Sequence, residues 1–231
     1  FVVGAPGLLN SAETAIRERL ESAGFIVTVA DDDGISEAAA SGMDLIVISS
    51  TVSSGNVGAT FRTTAVPVLT WEIALYDDLA MAGTVEDTDF GWATAQTQVT
   101  ITNDAHSMAG GLSGTQAVYS AAGDEAWGVP NANAEVVATV PGDSTKKVLF
   151  GYDTNVSMVG LTAPARRVGI HLGDTTASLL TSAGWSLFDA AVDWAAPPTV
   201  AARPARVRGR CARLVELGRD RDPGAARVRR V

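Results

Sequence analysis

The sequence predicts an α/β fold, with a mostly parallel sheet and an antiparallel extension from the middle of the chain. Three observations carry this. Short apolar runs alternate with helix-like segments over residues 1–75. Leu45-Ile46-Val47-Ile48 is an unbroken apolar, largely β-branched run, the mark of a strand buried on both faces. Residues 98–152 carry strand-like segments with turn-rich gaps and little helical periodicity. Strands alternating with helices imply parallel pairing with helices on both sides of the sheet.

The elements follow in order. Phe1-Val2-Val3-Gly4 reads as a strand whose start lies upstream of Phe1. Asn10, with Glu13 three residues on, fits a capping box. Ala12, Ala15, Ile16, Leu20 and Ala23 then share a helical face, with Arg17, Glu18 and Glu21 toward water and Glu13 paired with Arg17. Gly24 is placed to end that helix. Phe25–Val29 is the expected second strand, and Asp31-Asp32-Asp33-Gly34 a turn of solvated acids. An Ala-rich helix should end near Gly42, a weak helix spans Val57–Arg62, and Val66–Thr70 is a further strand. In the middle, 98–102, 116–119, 135–140 and 147–152 read as strands. Arg167–Leu172 returns as a core strand, and a long helix covers about 176–196 with Trp185, Phe188 and Val192 in one stripe, flanked by Leu187, Ala191 and Trp194.

Charge divides the chain. Residues 1–197 hold 7 Lys and Arg against 23 Asp and Glu, a net −16, whereas 198–231 hold 10 Arg against 3 acids, a net +7. An acidic body disfavours nucleic acid and anionic membrane as partners. No apolar run reaches the length of a membrane span. Two readings of 197–231 stand: a basic disordered tail, or out-of-frame translation of a GC-rich gene. The chain's one cysteine, Cys211, lies in that stretch.

Candidate chemistry gathers at the carboxyl ends of the expected parallel strands, where such sheets bind ligands. Pro67–Tyr76 reads as strand, sharp turn and helix start, with Glu72 at the turn. A carboxylate there suits a general base, a metal ligand or a covalent nucleophile, or simply a helix cap. His171 ends the late strand, as an acid/base group, a ligand or a half-buried structural histidine. Asp174 is a ligand candidate and equally an N-cap for the last helix. Ser49, Ser50 and Ser53 lie near a strand end, without the G-x-S-x-G frame of a hydrolase elbow. Trp71 and Tyr76 would stack on sugar if they line a groove. His106 sits in a turn and reads as structural. Gly4-Ala5-Pro6-Gly7 lacks the spacing and lysine of a phosphate loop. No His/Cys cluster has zinc spacing, and no metal or cofactor is expected.

The order of these pieces resembles the ThuA-like (trehalose-utilisation) branch of the class I glutamine amidotransferase-like superfamily, over residues 1–196. Its carriers are the Leu45–Ser50 strand, the Val66–Glu72 elbow, the turn from His106 to Leu112, and the Arg167–Leu172 strand followed by a helix closing in Val192-Asp193-Trp194-Ala195. The turn is similar to the family's H-P-(I/L)-x-x-G-(L/I), with Ser107 in place of proline. The resemblance implies a flavodoxin-like three-layer sandwich in a secreted, extracellular bacterial multidomain protein, with carbohydrate or neighbouring domains of the same chain as partners. It does not carry amidotransferase activity across. The cysteine position is Glu72, and Gly173 stands where the H-P-E pattern wants glutamate after His171. The expected role is an accessory or binding domain; the alternative is a hydrolase using Glu72 and His171 as a pair.

Overall fold

The computed structural model describes residues 1–196. The expectations for 197–231, Cys211 included, lie outside the described residues. Eleven strands form one mixed sheet: β1 Val2–Val3, β2 Ala30–Asp31, β3 Ile46–Ile48, β4 Val68–Thr70, β5 Phe90–Gln96, β6 Gln98–Ile101, β7 Gly114–Ala117, β8 Gly123–Gly128, β9 Glu135–Val140, β10 Asp143–Tyr152 and β11 Arg167–Ile170. The main path runs β2-β1-β3-β4-β11-β10-β9-β6-β7, with β8 joining β10 and β5 joining β8.

The first five strands of that path pair in parallel. Every other pairing is antiparallel, six against four, so the sheet is mixed rather than mostly parallel. The sequence missed β5 and β8, whose glycines and short side chains read as turns; alternation of Phe90 and Trp92 was the available signal.

The helix α1, Ser11–Ser22, forms where its capping box predicts. Asn10 Oδ1 accepts from Glu13 N and Glu13 Oε2 accepts from Asn10 N, both at 2.9 Å. Ala12, Ile16 and Leu20 are buried as read, and Gly24 ends the helix at φ +102°. Two details differ. Ala23 is exposed, and Glu13 does not pair with Arg17: it is buried and takes the Thr51 hydroxyl at 2.5 Å, while Arg17 sits 3.9 Å from Glu21.

Other expectations shift for local reasons. Phe25–Val29 makes no regular ladder; pairing starts only at Ala30, and Ile26 is 98% exposed at this sheet edge. The Ala-rich helix shortens to a single 3-10 turn, Glu37–Ala40. The weak helix is the short α2, Ser54–Val57, followed by the turn Gly58–Phe61. Asp32 is not a solvated turn acid. It is buried, and its Oδ2 accepts from Ser53 N at 2.6 Å, tying the β2 turn to α2.

The last helix divides into a turn, Thr176–Leu179, and α3, Ser182–Ala195, capped by Thr181. Leu187, Phe188, Ala191 and Val192 face the core, whereas Trp185 and Trp194 lie at the margin. Arg19 binds Asp189 through both carboxylate oxygens, so α1 and α3 lie side by side. The remaining helical segments are a turn or so long, which corrects the expectation of full helices on both faces.

One fully buried residue organises the amino end of the parallel strands. The Arg167 guanidinium donates to six backbone carbonyls: Val66, Ala165 and Arg166 from Nη1, and Phe61, Arg62 and Thr64 from Nη2, at 2.7–3.4 Å. It thereby fastens the loop before β4 to β11. Burial pulls its pKa down to about 10. Sequence pattern gave no hint of this role, because an arginine opening a strand ordinarily points to water.

Candidate functional site at the carboxyl edge of the sheet

The carboxyl ends of β1, β3, β4 and β11 bring part of the expected set together. The elbow after β4 is built by Thr70, whose hydroxyl donates to Ile48 O at 3.2 Å and accepts from Glu72 N at 3.1 Å. This holds Glu72 at the mouth of a three-residue 3-10 turn, Ile73–Leu75. Glu72 caps that turn, its Oε1 accepting from Ala74 N at 3.1 Å. Burial raises its pKa to about 7; the Ala74 bond opposes this, and the charges of Asp174 and Glu86 add to it. Replacing Glu72 by Ala should cost about 1 kcal/mol through the lost cap, whereas Gln keeps an acceptor and should cost less. Urea unfolding of the two variants checks the order.

Ser50 and Asp174 do meet. Ser50 Oγ donates to Asp174 Oδ1 at 2.6 Å, joining the ends of β3 and β11. Asn10 Nδ2 donates to Asp174 O at 3.1 Å. Asp174 is exposed and does not cap the last helix, since Thr175 and Thr181 hold the two cap positions. Glu13, Thr51 and Ser49 continue the polar rim through the hydroxyl of Thr51, at 2.5 Å from Glu13 and 3.2 Å from Ser49. Glu13 was the member that sequence reasoning assigned elsewhere, because its helical position suggested a surface pair.

Three expected site residues lie inward. His171 is fully buried, and neither ring nitrogen has a hydrogen-bond partner. Its ring packs 5.7 Å from that of Tyr119, whose hydroxyl donates to the His171 carbonyl. Burial pushes the imidazole down to about 3, so it is neutral near pH 7. No hydrogen bond joins it to Glu72, so the carboxylate–imidazole pair of the hydrolase alternative is not hydrogen-bonded together. Trp71 and Tyr76 are core residues at 2% and 0% exposure, and Tyr76 meets Phe150 edge-on at 5.4 Å. Neither offers a sugar-stacking face. A strand end looks the same in sequence whether or not a further strand covers it, and here β8 covers it.

Gly173 explains why the H-P-E pattern is absent. A Cβ there would lie 2.9 Å from Asp124 O of β8 and 3.4 Å from the Trp92 ring of β5. A glutamate at that position would clash with the strands above it.

His106 is structural as read: Nδ1 accepts from Met108 N at 3.2 Å, and the ring packs edge-on against Trp194. Two surface recesses lie away from the carboxyl edge. One is beside Phe25, Ile26 and Met43, and the other lies between Ser107, Gly110 and α3. Neither adjoins Glu72 or Asp174, and the chemistry of the chain gives more weight to the rim. Among the described residues, no three His, Cys, Asp or Glu side chains converge as a metal site.

Against known proteins, no family model and no curated sequence matches the chain. Among solved structures it is similar to a protein from Bacteroides uniformis described as ThuA-like, at TM-score 0.49 and 10% identity, over 80% of this chain and 82% of that one. A likeness at that identity and score transfers no chemistry.

Proposed function

We propose that residues 1–196 form a flavodoxin-like, ThuA-like accessory or binding module of a secreted bacterial multidomain protein, without amidotransferase activity. The parallel strands in the order β2-β1-β3-β4-β11 follow the flavodoxin-like 2-1-3-4-5 order, which supports the finer fold. The observation that carries the functional reading is at the elbow. Glu72 stands where a nucleophilic cysteine would be presented, and its carboxylate caps the turn that follows. What reaches the surface there is Asp174 and, in part, Thr51, hydrogen-bonded to the buried Ser50 and Glu13.

Such a rim suits a neutral polyhydroxylated ligand, whose hydroxyls both donate to carboxylates and accept from serine and threonine. A sugar would bind by hydrogen bonds rather than by stacking on Trp71 or Tyr76. A neighbouring domain of the same chain is the other partner with matching polar chemistry.

Two assays test this. Incubation with glutamine should release no ammonia above background. Amide NMR shifts, followed while a neutral disaccharide such as trehalose is added, should move at Ser50, Thr51 and Asp174, and Asp174→Ala should abolish the response. Glutamine hydrolysis would overturn the non-amidotransferase reading, and unmoved shifts would remove the carbohydrate reading.

A further inference from the structure

The strands β5 and β8 form a two-stranded ribbon paired from Phe90↔Gly128 to Gln96↔Gly123. Its ladder to the main sheet is the single pair Lys147↔Gly128. It packs on the Ile73–Leu75 turn that Glu72 caps, and its Asp124 and Trp92 press on Gly173 after β11. It thus spans the elbow of β4 and the end of β11, over the edge where ligands of such sheets bind.

The ribbon carries one polar group, Glu125, and covers another, His171, that a permanent wall would not need. Both carboxylate oxygens of Glu125 are buried without a protein partner, as are both ring nitrogens of His171. The two share a neighbour, Tyr119, which packs on His171 and whose phenol is pushed up by burial first and then by the charge of Glu125. Each buried polar group without a partner costs about 1–3 kcal/mol, so the covered arrangement carries a standing penalty. The ribbon is also locally irregular. Its pairing shifts register between Ala93 and Gln96, and Ala95 there holds φ +56°, a conformation that costs a non-glycine residue roughly 1–3 kcal/mol.

We propose that the β5–β8 ribbon is a movable cover, and that its displacement uncovers its own Glu125 and adds His171 to the ligand-facing rim of Ser50, Asp174 and Glu72. Opened, the site presents the His171 imidazole inward of the hydroxyl rim, with the Glu125 carboxyl on the lifted ribbon, a set suited to a small polar ligand carrying both donors and acceptors. The inference rests on the reading of the carboxyl edge as the ligand-facing side.

The geometry supplies its own lock. A Cβ at Gly123 would lie 3.7 Å from Thr176 Cβ, close to the ~3.8 Å of a disulfide. The variant carrying Gly123→Cys and Thr176→Cys is therefore treated with diethyl pyrocarbonate, oxidised and reduced, and labelling at the chain's two histidines is read by peptide mass spectrometry. His106 serves as the internal control. With a movable cover, His171 labels in the reduced form and in the wild type with weak urea dependence, and oxidation slows it about tenfold or more while His106 is unchanged. The proposal is overturned if oxidised and reduced forms label alike, or if His171 labels only with the full urea dependence of global unfolding.

Hydrogen exchange of the wild type gives a reading that needs no variant. Amides of Trp92, Ala93, Ala126 and Trp127 should open at lower free energy than those of β3 and β4, and equal protection would contradict the cover. A failure to bind sugar leaves these labelling results untouched, so the two readings fail separately.

Discussion

Replacing Arg167 by Met is expected to be the most damaging single change in the described body. The guanidinium is fully buried and donates to six carbonyls from the 61–66 segment and the start of β11. Methionine fills much of the volume but donates to none of these carbonyls; Arg166 O keeps its Val68 N donor, and the others lose the guanidinium in a low-dielectric setting. Each buried carbonyl left without a donor costs about 1–3 kcal/mol, which over several carbonyls amounts to several kcal/mol. Domains of this size are commonly stable by about 5–15 kcal/mol, so the variant should be poorly folded. Lysine should recover little of the loss, because one ammonium cannot reproduce a planar fork. Urea denaturation of wild type, Arg167→Met and Arg167→Lys measures this. A loss under about 1 kcal/mol for Met would mean that the carbonyls find other partners and that Arg167 is not the fastening point.

The second large effect is on pH dependence. Burial raises the Glu125 carboxyl from its ordinary 4.5 to about 9. The folded chain therefore keeps a proton that the unfolded chain releases. This contribution is fully present below about 4.5 and is lost as pH rises toward 9. Glu72 acts in the same direction over the narrower window from 4.5 to about 7. His171 acts oppositely. Its folded value of about 3 lies below its ordinary 6.5, so its contribution is full above 6.5 and is lost as pH falls toward 3.

From pH 7 to 9, Glu125 is the dominant of the three. One proton difference is worth about 1.4 kcal/mol per pH unit, so stability should fall by roughly 2–3 kcal/mol across that window. Glu125→Gln should flatten the slope while leaving the acid limb set by His171. Unfolding free energies at pH 7, 8 and 9 for both proteins test this. An unchanged slope in Glu125→Gln would place the titrating group elsewhere.

The parallel part of the fold was legible because its signals are local. The Asn10–Glu13 capping box, the Leu45–Ile48 run and the Thr70–Glu72 turn each specify their own backbone. Their spacing also placed Ser50 and Asp174 at neighbouring strand ends, where they meet. What was not legible depends on pieces distant in sequence. His171 looks like an edge residue until β8, some fifty residues earlier, is laid across it. Glu125 lies in a glycine-bounded segment that reads as turn, and nothing local says its carboxylate will be enclosed. Arg167 finds four of its six acceptors in a loop about a hundred residues away. The open edge at Phe25–Val29 failed for a related reason, since an apolar run does not reveal whether a second neighbour exists. Glu72 was legible as an elbow residue with two possible jobs, and the geometry selects the cap.

The elbow carboxylate and the strand-end histidine are not an assembled catalytic pair, because His171 is enclosed beneath β8. Imidazole NMR of the chain's two histidines tests this most directly. His171 is expected to stay neutral as pH falls, with no titration near its ordinary 6.5 while the protein remains folded, and Glu72→Gln to leave its resonance unmoved. A His171 that titrates near 6.5, with a second step removed by Glu72→Gln, would contradict it and restore the pair.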